Sequence, residues 1–160
     1  LMPEETVAYL NEYFTQMVEI IFNHNGTVNK FVGDMIVAIF GAPTRCGDSK
    51  KQAVKTAIMM QRSLSEIKNE WIRENFNTGI GISAGEVVVG NIGSPQHMDY
   101  TAIGDEVNIA ERLEALAQGK QILVDRNVYE ATKDAFEFKD LGSFTVKGKK
   151  KKVDVFEVVY

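Results

Sequence analysis

Asn108 and Arg112 stand four residues apart, a spacing that puts an amide and a fixed cation on one face of a helix. They belong to residues 100–114, which read as a turn running into an amphipathic helix. Val107, Ala110, Leu113 and Leu116 supply its apolar stripe at steps of three. A hydrogen-bonding amide beside a guanidinium suits an anionic, phosphate-rich ligand. The plain alternative is a solvated helix face, and the pattern taken alone favours it. A second group, Asn29-Lys30-Phe31-Val32-Gly33-Asp34, reads as the tip of a β-hairpin. Gly33 permits the tight turn, and Asp34 is presented beyond the strand ends. Ordinary turn chemistry accounts for both in isolation. A tip carboxylate is also a place for a hard cation, because Mg²⁺ takes one or two carboxylates plus substrate phosphates.

The elements that must hold these groups are legible as periodicities. A helix is expected over residues 3–23, with Val7, Leu10, Phe14, Met17 and Ile21 stepping by three and four. Pro3 suits its first turn, and Asn25-Gly26 ends it. Residues 27–31 and 35–40 form the hairpin, and the second strand is apolar throughout, as a strand buried on both faces would be. Gly41-Ala42-Pro43 breaks that strand. A long helix follows over residues 50–74, with Ala53, Ala57, Met60, Leu64, Ile67 and Trp71 on one stripe. Residues 77–84 and 86–90 read as two strands kinked at Gly85. After the helix of the opening motif, residues 121–124 form a short strand, and Asp125 caps a helix over residues 126–133. Residues 136–146 and 153–160 alternate like a terminal hairpin. Helices interleave with strands and hairpins, so the fold class is α+β, with helices packed on a mixed or antiparallel sheet.

Composition narrows the function classes. The 160 residues suffice for one domain, 1–160, with a real core, and a net charge of −4 argues against general nucleic-acid binding. No apolar run approaches the roughly 20 residues of a membrane span. The single cysteine, Cys46, excludes an internal disulfide and fits a reducing compartment. His24 and His97 sit in loop-like polar contexts with no second ligand spaced for zinc. The run Lys149-Lys150-Lys151-Lys152 lacks interleaved aromatics and reads as a solvated hairpin turn. No Gly-x-x-x-x-Gly-Lys-Ser/Thr stretch is present, which removes a P-loop NTPase. No Gly-Gly-acidic-acidic-Phe signature is present either, which removes a diguanylate cyclase.

Taken together, residues 28–34, Gly79-Ile80-Gly81-Ile82-Ser83-Ala84-Gly85, residues 100–114 and Val146-Lys147-Gly148-Lys149 resemble, in order and spacing, the class III nucleotidyl cyclase catalytic domain of the bacterial adenylyl cyclase type. The resemblance covers essentially the whole chain. It implies a ferredoxin-like βαββαβ fold with extra C-terminal β elements. It also implies ATP as substrate, Mg²⁺ or Mn²⁺ at two ions per site, and closure to cyclic AMP with release of pyrophosphate. Asp34 matches the second of the family's two metal aspartates, and Lys30 and Thr101 match the pair that reads the purine. An ammonium can donate to adenine N1 while a hydroxyl accepts from the exocyclic amine. Asn108 matches the asparagine that orients the ribose, Arg112 the arginine that meets the reacting phosphate, and Lys147 the lysine on the terminal phosphates.

The family builds its sites at a head-to-tail homodimer interface. One chain supplies the metal aspartates and the other the purine readers, Asn, Arg and Lys. Lys30 and Asp34 are therefore expected to serve opposite sites although they are four residues apart. The family's first strand and first metal aspartate are expected ahead of Leu1, so the chain reads as N-terminally incomplete. The expected setting is cytoplasmic, with no membrane contact by this domain and the parent chain open to membrane attachment. Two other readings stand beside the adenylyl cyclase. One is a guanylyl cyclase, because Thr101 alone does not exclude guanine. The other is a non-catalytic cyclase-fold module that dimerises and relays a signal, supported by the missing first aspartate.

Overall fold

The computed structural model describes residues 2–42, 47–94, 97–145 and 152–160, with the backbone alone over 92–94 and 97–100. Cys46 and Lys147 lie outside the described residues, as does most of the lysine run. The chain divides into two compact units, Leu1–Phe76 and Asn77–Tyr160.

The first unit contains α1 (Pro3–Asn23), β1 (Gly26–Val32), β2 (Met35–Phe40), α2 (Ser49–Glu66) and α3 (Glu70–Asn75). Pro3 occupies the first turn of α1, and the chain leaves the helix through His24 and Asn25, whose φ is +67°. Tyr13, Met17 and Ile21 are the buried face of α1, whereas Val7, expected on the stripe, is 58% exposed. The buried face begins where aromatic partners meet the helix: Trp71 against Tyr9 at 5.4 Å and Phe76 against Tyr13 at 5.0 Å. The expected helix over 50–74 is two helices. Ile67 turns extended at ψ 136°, and Asn69 caps α3 by accepting from the Ile72 N–H at 3.2 Å. The Asn69 amide also donates to Glu12 at 3.1 Å, which ties the break to α1. Ile67 remains 4% exposed and packs with Leu64 and Ile72, so the apolar period runs straight across a break in the backbone.

β1 and β2 form the expected antiparallel hairpin, closed by Val32 opposite Met35, with Gly33 at φ +62° in the turn. β2 is half-buried along its whole length rather than buried on both faces. Among the described residues its only strand partner is β1, so one edge gains no further cover.

The second unit contains β3 (Ile80–Ile82), β4 (Val88–Ser94), β5 (His97–Ile103), α4 (Asp105–Leu116), β6 (Ile122–Val124), α5 (Arg126–Thr132), β7 (Glu137–Thr145) and β8 (Lys152–Val159). Its four-stranded sheet has the order β3-β6-β8-β7, with β3 and β6 parallel and the other pairs antiparallel. The sheet is therefore mixed, as expected for the α+β class. Ile122, Leu123 and Val124 are buried at its centre, and Val155, Phe156 and Val158 of β8 pack beside them. Asp125 caps α5 and the terminal hairpin forms, both as the sequence predicts. Two expectations fail. The strand expected over 77–84 shortens to Ile80–Ile82, and residues 100–103 are strand rather than turn. They belong to β5, which pairs with β4 from Val88 opposite Ile103 to Ser94 opposite His97. His97 is thus in a strand and not a loop.

Candidate active site

Lys30 and Asp34 lie on the hairpin of the first unit. Lys30 sits opposite Val37, one residue after a register shift that leaves Asn29 as the extra residue of β1. Such a bulge twists a strand and re-aims the side chains that follow it. Asp34 stands in the turn, exposed, one residue past Gly33. Neither the Lys30 ammonium nor the Asp34 carboxylate is ion-paired among the described residues, and both reach solvent.

The other groups belong to the second unit. Thr101 is half-buried on β5, opposite Gly90. The strand ends at Ile103, Gly104 carries the chain round, and α4 begins at Asp105. Asp105 and Glu106 occupy the first turn of α4, where carboxylates suit the positive end of a helix dipole. Leu113, 1% exposed, buries against Leu123 and Val155, while Ile109 and Leu116 pack around that cluster. This anchored face leaves Asn108 and Arg112 exposed together. The Arg112 guanidinium has no ion-pair partner among the described residues. An unpaired fixed cation with an amide one turn away is an arrangement an anion can enter without displacing an internal contact.

A buried brace lies beneath α4 and α5. Asp125, 5% exposed, accepts from the Val128 N–H at 3.0 Å, and its own backbone N–H donates to the Ile82 carbonyl at 3.2 Å. Asn127 donates to the Ala84 carbonyl at 2.8 Å. Burial pushes the Asp125 carboxyl above its ordinary range, the Val128 N–H pulls it part of the way back, and the nearby Glu106 carboxylate adds a smaller upward push. The sequence identifies Asp125 as a cap but gives no sign of the neighbouring Asn127 bond to Ala84, because those two residues are 43 apart in the chain.

The donor set limits how this chain could hold a metal. Among the described residues no group of three or more His, Cys, Asp or Glu side chains converges. Asp34, at the hairpin tip, offers one exposed carboxylate. One such carboxylate fits a Mg²⁺ that takes its remaining oxygens from substrate phosphates and water, and it does not fit an all-protein cage. No helix among the described residues is long and apolar enough to cross a membrane.

Residues 1–158 match the family described as the adenylate and guanylate cyclase catalytic domain. The chain is 35% identical to adenylate cyclase 1 of Rhizobium meliloti (strain 1021), over 98% of its own length and 24% of that protein. It is 36% identical to the terminal-differentiation-specific adenylate cyclase of Dictyostelium discoideum, over 99% of its own length and 8% of that protein. The chain thus spans about a quarter or less of the length of these curated relatives. Among solved structures it is similar to the adenylyl cyclase CyaB from P. aeruginosa, with a TM-score of 0.92 and 34% identity, covering 100% of this chain and 85% of that one. It is also similar to the guanylyl cyclase Cya2, with a TM-score of 0.89 and 38% identity, covering 99% and 82%.

Proposed function

This chain belongs to the adenylate and guanylate cyclase catalytic domain family, and from that premise we propose that it converts ATP to 3′,5′-cyclic AMP and pyrophosphate. The observation that carries the proposal is the exposed pair Asn108 and Arg112 on α4, set against the buried anchor Leu113 on the helix's other side. In this reading the ribose 3′-oxygen attacks the α-phosphorus, its O–H proton leaves to solvent, and the bond to the bridging oxygen breaks to release pyrophosphate. Asn108 holds the ribose so that the 3′-oxygen lies in line. Arg112 donates to the α-phosphate oxygens as charge gathers on them. Such chemistry is positioning plus charge stabilisation, and needs little else from the protein. Lys30 and Thr101 read the adenine edge, and Lys147 holds the terminal phosphates. Divalent cations, Mg²⁺ or Mn²⁺ and two per site, would acidify the 3′-hydroxyl and neutralise the leaving phosphates when bound. Asp34 is the carboxylate of this chain assigned to hold them.

The active assembly is proposed to be a head-to-tail homodimer. Asp34 of one protomer would serve a site whose Lys30, Thr101, Asn108, Arg112 and Lys147 come from its partner, and symmetry would complete two such sites. Among relatives of similar likeness, one solved structure is a guanylyl cyclase, and this keeps GTP as a second reading. Lys30 favours ATP, because an ammonium meets the adenine N1 acceptor and opposes the guanine N1–H donor. Incubating the full-length protein with ATP or GTP and Mg²⁺ or Mn²⁺, and separating the products, tests both. Cyclic AMP from ATP supports the proposal. Cyclic GTP-derived product alone favours the second reading, and no cyclic product under any pairing refutes both.

A further inference from the structure

α4 lies on β3 along a track with no side chains. A Cβ built on Gly79 would stand 2.8 Å from the Ala117 Cβ and 2.8 Å from its carbonyl oxygen. One built on Gly81 would collide with the Ala110 carbonyl and the Glu114 N–H, and would lie 2.8 Å from the Leu113 Cβ. One built on Gly85 would meet the Glu106 side chain, 2.6 Å from its Cγ. These glycines alternate along the chain with Ile80 and Ile82, so they share the parity of one strand face. On α4 the opposing residues are 106, 110, 113–114 and 117, one continuous helix face. Asn108 and Arg112 each follow a track residue by two positions, which is about 200° around the helix. The face that meets the glycines is therefore opposite the face that carries the candidate catalytic groups.

We infer that Gly79 and Gly81 are positioning residues for the cyclase reaction: by omitting a side chain they set how deep α4 seats on β3, and so how far Asn108 and Arg112 stand from the sheet. The inference rests on the cyclase reading. The three contacts are not equally stiff. Gly81 faces helix backbone, Gly79 faces a Cβ and a carbonyl, and Gly85 faces a flexible side chain that can swing away. A displacement near 1 Å can cost about a hundredfold in rate when it misplaces reacting groups.

The test is a graded series in the full-length protein, reading kcat, KM for ATP and Tm. Gly81→Ala should lower kcat about a hundredfold and Gly79→Ala about tenfold, with KM within about threefold and assays run well below Tm. Gly85→Ala should keep kcat within about threefold, because the Glu106 side chain can change rotamer and leave the helix backbone in place. Combining Gly79→Ala with Ala117→Gly removes the Cβ collision and should recover part of the lost kcat. If Gly81→Ala does not fold, the Gly79 pair decides. Unchanged kcat in Gly79→Ala, or an equal loss in Gly85→Ala, or no recovery in the pair, overturns the inference. A wild-type protein that makes no cyclic nucleotide refutes the function instead. Crystal structures of wild type and Gly79→Ala then decide the positioning, and an α4 unmoved against β3 overturns it.

Discussion

In the proposed reaction, Arg112 and Asn108 are the residues on which the chemistry would depend most directly. Arg112 is exposed and has no ion pair among the described residues, so Arg112→Ala should leave Tm nearly unchanged. Its kcat should fall by about a hundred- to a thousandfold, the range for losing one donor to a transition-state oxyanion, with a smaller change in KM. A loss seen only in KM would show that Arg112 binds substrate and transition state equally. Lys30→Glu should weaken ATP use and admit GTP, because a carboxylate accepts from guanine N1–H where an ammonium cannot; competing the two nucleotides at equal concentration measures the shift. Asp125 belongs to the fold rather than the chemistry. Its folded carboxyl titrates above the unfolded value of about 3.9, so the folded state binds more protons in that window. Stability from this group is accordingly highest at low pH and declines as pH rises through the raised folded value. Asp125→Asn removes that dependence, so thermal melts should show the variant gaining on wild type as pH rises from about 4 toward neutrality. A constant difference between the two would contradict the assignment. The types and spacings of Lys30, Asp34, Asn108 and Arg112 nominate them as candidates without a structure. The bulge at Asn29, which precedes Lys30, was not, because a bulge is a property of two strands in register and its partner residues lie across the turn.

At the scale of elements, legibility followed periodicity and failed where backbone and side-chain periods part. Residues 50–74 read as one helix because Leu64, Ile67 and Trp71 keep helical spacing through the break after α2. The signal of that break was Asn69, a capping residue, followed by Glu70 in the first turn of α3. Asn69→Ala removes the Ile72 cap and the Glu12 contact together, and should cost about 1 kcal/mol. That corresponds to a drop of about 2–4 °C in Tm, readable by a thermal melt, with kcat unchanged well below the transition. β5 was missed for the opposite reason. Met98, Tyr100 and Ala102 alternate with His97, Asp99 and Thr101, a period of two that marks a half-exposed strand. The adjoining helix pattern from residue 105 drew the reading toward a turn. The correction alters the account of Thr101, which is held by the ladder to Gly90 rather than by a loose turn. A purine reader on a paired strand is better oriented than one in a turn.

On the scale of the molecule, the candidate groups are distributed in a way that a single-chain site does not require. Lys30 and Asp34 belong to the unit Leu1–Phe76, and Thr101, Asn108 and Arg112 belong to Asn77–Tyr160. The family match runs through both, over residues 1–158. The α+β class, the mixed sheet and the terminal hairpin were all readable, because each depends on local alternation and turn residues. The division into two units and, among the described residues, three hydrogen-bonded strand sets was not, since strand order depends on long-range pairing that no local pattern encodes. The central claim is that complete sites form only between two copies of the chain. The direct measurement mixes two inactive full-length variants, Asp34→Asn and Arg112→Ala, after dissociation and reassociation. Random pairing makes half of the dimers mixed, and each mixed dimer has one intact site of two, so activity should return to about a quarter of wild type. Activity no greater than the sum of the two variants alone would contradict the shared site and with it this account.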